Sequence, residues 1–312
     1  WCLGIPQYWA WRLTGRAVSE ASILGAQSHL WNVKDHTWAP IVSARGWGHL
    51  MPPFARAADD LGPIREGLAK RHNLPPLRVH AGAHDSSVSF FRYQAAGLTD
   101  FVLVSTGTWI VCFADHMDLT RLDEARGMTC NADMDGAPLG GVLTMGGREY
   151  SAVAGEQPDT AKASETAIAR LIAEGTMALP TFGTNDGQFP GSARKGHILG
   201  PPPASPEDRH ALAVLYCALL AVTCGSMLDP ARPWVLDGSF LRDPAFAGLV
   251  AALRPGQKTL TAPESYGIAA GAALLCRPPG IIPLDLTEAR PLALPNLNTY
   301  AARWRALAGV QT

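Results

Sequence analysis

Two short stretches carry the residues with which this chain could do chemistry. The first is Val79-His80-Ala81-Gly82-Ala83-His84-Asp85-Ser86-Ser87. The apolar run from Leu77 to Ala81 predicts a buried strand. The small residues after it permit a sharp turn and the close approach of a ligand. At its tip stands one carboxylate, Asp85, with His84 and two hydroxyls beside it. The second stretch is Ser105-Thr106-Gly107-Thr108, between the strand-like runs Phe101 to Val104 and Trp109 to Phe113. A carboxylate at a strand end can accept a hydroxyl proton, and a Thr-Gly-Thr hairpin can offer N–H groups and hydroxyls to phosphate oxygens. Together they suit phosphoryl transfer. Each also has a plainer reading: Asp85 as a residue that only caps a helix, and Thr106 to Thr108 as an ordinary hairpin turn.

The elements that must position these residues can be read from the pattern. Residues 86 to 96 predict a helix whose N-terminus lies at Asp85, where the helix dipole would keep a carboxylate ionised. Upstream, Leu3 to Leu13 predicts a helix ending at Gly15. Ser19 to Leu30 is a small-residue segment in which Ser22 and Gln27 are polar enough to face a ligand. Six of the nine Trp fall in the first 60 residues. An indole face packs well on a sugar ring, and Trp9 is a candidate for that role; core anchoring is the alternative. Phe54 to Leu61 and Leu68 to Leu74 read as short helices.

Gly97 marks a boundary, after which strand, tight turn and strand restart. Leu139 to Met145 reads as a strand closed by Gly146-Gly147, and Asp159 to Glu174 as a helix. Ser205-Pro206-Glu207-Asp208 is a strong helix start. From Ala211 to Leu228 no charge appears, and that length approaches a membrane span. Thr223, Gly225 and Ser226 within the run, and acids at both ends, favour a helix buried centrally instead. Trp234 to Leu236 reads as a strand, Asp237-Gly238-Ser239 as its turn, and Asp243-Pro244 as the cap of a helix to about Leu253. Lys258 to Thr261 predicts a strand, and Tyr266 to Cys276 a small-residue helix against which something packs closely. The tail is Pro-rich from Pro278 and weakly helical from Tyr300.

Composition narrows the function classes. With 312 residues, 47% apolar and 17% charged, the chain can bury one large core or two ordinary ones. A formal net charge of −1 without a basic stretch argues against nucleic acid as a partner. The six Cys are scattered with no C-x-x-C pair, as expected of reduced thiols in a cytoplasmic protein. No metal-ligand cluster shows itself.

Gly82-Ala83-His84-Asp85 followed by Ser105-Thr106-Gly107-Thr108-Trp109 resembles the FGGY carbohydrate kinases, particularly the rhamnulokinase and fuculokinase branches. Tyr8 to Gly15 resembles the segment leading into that family's sugar-proximal region. Asp237-Gly238-Ser239, then Glu264 and Gly267 to Ala273, resemble its adenosine motif and the small-residue helix after it. The resemblance covers most of residues 8 to 276 and rests on the order and spacing of these motifs together.

The resemblance implies an α/β fold of two ribonuclease H-like, actin-like ATPase domains around a cleft. Residues 1–97 would be the C-terminal portion of the first, sugar-side domain, and 98–312 the second, nucleotide-side domain. A chain starting at Trp1, with no Asp-Gly-Thr phosphate loop ahead of it, is expected to lack the family's N-terminal part. The implied activity is ATP-dependent phosphorylation of a small ketose or deoxyketose, with Mg²⁺ and with Asp85 as general base. His84, Trp9 and Ser22 would contact the sugar, and Thr106, Gly107, Thr108, Gly238 and Ser239 the nucleotide. Sugar and nucleotide are the expected partners, neither membrane nor nucleic acid is, and a homodimer is admissible. Asp237 and Ser239 stand where the family shows Gly, which leaves the nucleotide contacts open. A catalytically inactive sugar-binding or regulatory protein with the kinase fold is the alternative. A hydrolase built on Ser86 or Ser87 is disfavoured, because adjacent residues rarely point at one another and no Gly-x-Ser-x-Gly elbow is present.

Overall fold

The computed structural model describes residues 1–158, 160–262, 267–277 and 283–310. The first stretch comprises α1 (Ile5–Thr14), α2 (Ala21–Gln27), β1 (Trp31–Asn32), β2 (Thr37–Trp38), α3 (Pro40–Ala44), β3 (Asp60–Pro63), α4 (Glu66–His72), β4 (Arg78–His80) and α5 (Asp85–Ala95). There follow β5 (Val102–Thr106), β6 (Trp109–Ala114), β7 (Met128–Ala132), β8 (Pro138–Met145), α6 (Gly147–Ala154), α7 (Glu165–Glu174), β9 (Met177–Leu179) and β10 (His197–Leu199). The chain continues through α8 (Pro206–Leu228), β11 (Trp234–Gly238), α9 (Pro244–Ala252), β12 (Thr259–Thr261), α10 (Gly267–Leu275), β13 (Thr287–Glu288) and α11 (Leu297–Leu307).

The main sheet runs β13-β12-β11-β5-β6-β8-β7. β11 is parallel to both β5 and β12, and the other neighbours are antiparallel. Alternation along the strands divides the core in two. Val102, Val104, Trp234 and Leu236 face α7, α8, α9 and α11. Leu103 and Val235 face the other way, onto Phe90 and Tyr93 of α5. The last helix before Gly97 therefore covers one face of the sheet that follows it.

The long uncharged run is the buried spine of the larger core. α8 spans 23 residues and is long and apolar enough to cross a membrane, yet 89% of its apolar window is buried inside the protein. A helix apolar all round has no wet face to offer, and here protein surrounds it. At Gly225 an added Cβ would lie 2.5 Å from the Trp234 indole, so Gly lets the helix and ring meet.

Several expected elements take other forms. Phe54 to Leu61 is not a helix. The chain is extended there, pairing with Ser19, and turns into β3 at Asp60. Phe54 is drawn out by an aromatic cluster, its ring centroid 4.4 Å from that of Trp31 and 5.1 Å from that of Trp38. Gly146-Gly147 ends β8 as expected and at the same point opens α6. α7 begins at Glu165, because Ser164 caps it by accepting the Ala167 N–H at 3.2 Å. α11 begins three residues before Tyr300. Asp159, Glu264 and Tyr266, which the sequence reading placed in motifs or helix starts, lie outside the described residues, as does the Gln27 side chain.

The small-residue helix α10 packs on α5, the helix that begins at Asp85. A Cβ at Gly271 would run into the Val88 carbonyl oxygen, and one at Gly267 would meet Ser89 Oγ at 2.9 Å and Asp237 Oδ2 at 3.0 Å. Gly271→Val is expected to lower stability by roughly 1–3 kcal/mol, because backbone cannot yield as a side chain can. Denaturant titration of the variant against Gly271→Ala, with the smaller loss expected for Ala, checks this.

Candidate functional site

Asp85 is the first residue of α5, and its side chain is 64% exposed. Its Oδ1 accepts the Ser86 N–H at 2.6 Å and lies 3.3 Å from both Ser86 Oγ and His84 Nε2. Oδ2 takes no hydrogen bond among the described residues. One oxygen is thus held against the helix start while the other is open to an incoming proton.

His84, the residue before, is buried and has its backbone N–H on Ser22 Oγ at 2.9 Å. Ser22 is fully buried, and its hydroxyl donates to Glu20 Oε2 at 2.6 Å. Glu20 also accepts the N–H groups of Ser22 and Ile23, capping α2. Burial raises the Glu20 carboxyl despite these three bonds. The structure therefore places Ser22 behind His84, not on an open surface. The ring of His84 is oriented through Ser87, whose hydroxyl donates to the Ala132 carbonyl at 2.7 Å. With that proton spent, Ser87 Oγ accepts from His84 Nδ1–H at 3.2 Å. Trp9 lies on α1, 59% exposed and edge-on to Tyr8. Gln7 of the same helix is buried and donates to the carbonyls of Ala81 and Gly82, bracing the turn before His84.

The second group assembles across the sheet. β5 and β11 run in parallel with Thr106 opposite Gly238, so the Thr-Gly-Thr hairpin and the Asp-Gly-Ser turn meet despite about 130 residues between them. Thr106 is buried, and its hydroxyl donates to the Asp237 carbonyl at 2.8 Å and accepts the Phe240 N–H at 3.2 Å. Gly238 has φ +98°, and a Cβ there would run into the Thr106 carbonyl. Gly107 donates its N–H to Trp109 O at 2.8 Å, within the hairpin. Thr108 is exposed, and neither its N–H nor its hydroxyl finds a partner among the described residues.

Gly107, Thr108 and Ser239 line one cavity of about 680 Å³. Its remaining walls were not legible as a site in the sequence. They come from Gly147, Arg148, Tyr150 and Ser151 of α6, from Gly155, Gln157, Pro158, Ala161 and Lys162, from His210, Val214 and Cys217 on α8, and from Phe240, Arg242, Asp243 and Phe246. Cys217 is fully buried and its thiol is pushed up out of reactive range. Asp243, read only as a helix cap, does cap α9 through the Ala245 N–H, and it also accepts from Ala163 N–H and His210 Nε2. Burial opposes its charge, but the bonds from His210 and the two amides outweigh burial and hold the carboxyl below its usual range.

The described residues build no cage for a cation beside the hairpin. Among the described residues the one carboxylate lining the cavity, Asp243, is already committed. Asp100, Asp115 and His116 do cluster, but at the opposite ends of β5 and β6 from Gly107. Asp115 there also receives Arg232. No disulfide occurs among the described residues.

The chain is similar to known proteins. The model for "Carbohydrate kinase FGGY, C-terminal domain" matches residues 98–283. An L-fuculokinase from Haemophilus influenzae is 32% identical over 105 residues, which is 33% of this chain and 22% of that protein. Among solved structures, a carbohydrate kinase from Novosphingobium aromaticivorans aligns with a TM-score of 0.85 at 31% identity, covering 97% of this chain and 67% of that one. A ligand-bound xylulose kinase from Lactobacillus acidophilus has the same fold, with a TM-score of 0.76 at 18% identity over 98% of this chain and 65% of that one.

The surroundings of His84 predict a pH effect. Burial lowers its pKa below 6.5, only partly offset by the Asp85 charge. As pH falls through 6.5 the unfolded chain gains a proton that the folded ring resists, so stability is lost. His84→Gln should therefore lose less stability than the parent between pH 7.5 and 5.5. Equal losses in paired denaturant titrations would contradict this.

Proposed function

This chain belongs to the FGGY carbohydrate kinases, and from that premise we propose that it takes part in ATP-dependent phosphorylation of a small sugar of the ketose or deoxyketose class. The observation that carries the reading is the register of β5 against β11. It brings a hairpin with open donors and a tight turn onto one cavity, while a half-free carboxylate stands at the start of the helix behind them. The sugar class follows the relatives, which are a fuculokinase and a xylulose kinase by name.

In this reading residues 1–97 form the C-terminal portion of the sugar-side domain and 98–312 the nucleotide-side domain, with α5 packed between them. Asp85 accepts the proton of the attacking hydroxyl at Oδ2, the oxygen left open at the start of α5. His84 adjoins it as the neighbour of a second hydroxyl, and Trp9 flanks the approach. Ser22 acts through His84, whose backbone it holds. Thr108 supplies the N–H and hydroxyl to phosphate, with Gly107 leaving room and Ser239 beside it. Thr106 and Gly238 act by shaping the turn. Most of the catalysis in such a transfer is positioning and charge neutralisation. Magnesium, which the family implies, would be carried by the nucleotide phosphates and would supply charge neutralisation there, since the described residues beside the hairpin offer no ligand set of their own.

Asp85→Asn preserves shape and removes the proton acceptor. Turnover of sugar by the full-length protein should fall roughly 10²-fold or more, with fold unchanged. ADP release assayed across a panel of ketoses checks this, and near-parental turnover would remove Asp85 from the role of base.

Gly107→Val tests the other wall. A Cβ at Gly107 meets only Ser239 Oγ, at 3.9 Å, so the new side chain enters the cavity without disturbing the hairpin. ADP affinity measured by calorimetry should drop at least about tenfold while thermal stability stays near parental. Intact ADP affinity would show that the hairpin is structural only.

A further inference from the structure

The cavity beside the hairpin holds a hydrogen-bonded chain that the phosphoryl transfer itself does not need. Tyr150 of α6 has its hydroxyl 2.7 Å from His210 Nδ1, and His210 Nε2 lies 2.7 Å from Asp243 Oδ2. All three residues line the cavity, and His210 and Asp243 are both buried. Phe240, Phe246 and Val214 line it nearby, giving this end apolar walls suited to a flat ring.

The polarity of the chain can be worked out link by link. Asp243 is ionised and has only acceptor oxygens, so His210 must carry its proton on Nε2. In the neutral ring Nδ1 is then a lone pair, and the Tyr150 O–H donates to it. The phenol has a single proton. Its oxygen takes no further hydrogen bond among the described residues, so what it offers a ligand is an acceptor only. Burial, with the nearby Cys217 and Asp243, raises the phenol and keeps it un-ionised.

We propose that Tyr150, set by His210 and Asp243, selects an adenine nucleotide by accepting a hydrogen bond from the exocyclic amino group of the base. This rests on the reading of the cavity as the nucleotide site. Adenine presents a donor at that position, whereas hypoxanthine and guanine present a carbonyl oxygen. Two acceptors facing each other leave both unpaired in a partly dry site, which is costly in a way a missing contact is not. Tyr150 is a specificity-determining residue in this scheme, and His210 and Asp243 are positioning residues that fix which way its proton points.

The test is calorimetric titration of the chain with ADP and with IDP at pH 8. The parent should prefer ADP by about tenfold or more. Tyr150→Phe keeps the ring and removes the acceptor, so ADP should weaken about five- to tenfold and the ADP-to-IDP ratio should fall toward one. Asp243→Asn removes the charge that fixes the His210 tautomer. Its amide oxygen can take the Ala163 N–H and Nε2–H but no longer enforces that tautomer, so the ADP-to-IDP ratio should fall part of the way toward one. Loss of packing alone would weaken both nucleotides together and leave the ratio unchanged. An unchanged ratio in Tyr150→Phe with ADP still bound overturns the inference and spares the nucleotide site, and that comparison decides the matter should Asp243→Asn fail to fold. No binding of ADP by the parent overturns the nucleotide site and the inference with it.

Discussion

Everything near the cavity depends on how Asp237 is held. Its carbonyl accepts the Thr106 hydroxyl at 2.8 Å, which ties β11 to the hairpin. Its carboxylate accepts the Gly238 N–H at 2.6 Å, which shapes the turn, and the Tyr93 hydroxyl at 2.8 Å, which reaches it from α5. Tyr93 is fully buried, and burial together with the Asp237 charge pushes its phenol far up, so it donates at any physiological pH. A hydrogen bond from a neutral donor to a buried carboxylate is worth about 1.5–3 kcal/mol. More important is what it connects, since α5 carries Asp85 as its first residue and, from its last turn, holds the Asp237 turn through Tyr93. The Asp237 side chain is absorbed by these structural bonds and does not line the cavity.

The second constraint is the buried helix α8. It begins with Ser205 accepting the Asp208 N–H and carries His210 into the cavity wall one turn later. From there it runs through the core with no polar face. Such a helix is fixed by protein on every side, so the His210 ring is carried on a rigid mount, and its two hydrogen bonds give it a defined orientation. Tyr216 farther along donates to Glu149 of α6 at 2.6 Å, and Glu149 in turn accepts the N–H groups of Phe182 and Gly183. A buried carboxylate with three donors is satisfied, and it pins the helix bearing Tyr150 to the spine bearing His210.

The Asp85 side obeys the same logic on a smaller scale. Glu20, Ser22 and the His84 backbone form a buried chain in which each polar group has a partner. The turn before α5 is thereby set by groups that never meet a ligand, and Asp85 is the member left facing solvent.

Much of this architecture was legible in the order of residues alone. The strands 102–106, 109–114 and 234–238, the buried helix after Ser205 and the helix starting at Asp85 each follow from local periodicity and capping, which depend only on near neighbours in the chain. The pairing of Asp85 with the Thr106 hairpin as the places for chemistry rests on residue type and spacing. Tertiary structure decided what each side chain is free to do. Ser22 and Thr106 read as ligand contacts because a hydroxyl in a motif looks available. Only the fold shows those hydroxyls consumed by Glu20, Asp237 and Phe240, and Thr108 left open. Phe54 was lost to an aromatic cluster whose members, Trp38 and Trp31, lie 16 and 23 residues before it in the chain. Tyr150, His210 and Asp243 are separated by 60 and 33 positions and follow no motif, so no local signal could join them. Hydrogen-bond partners are a property of distance in space, and the sequence specifies that distance only through the whole packed core.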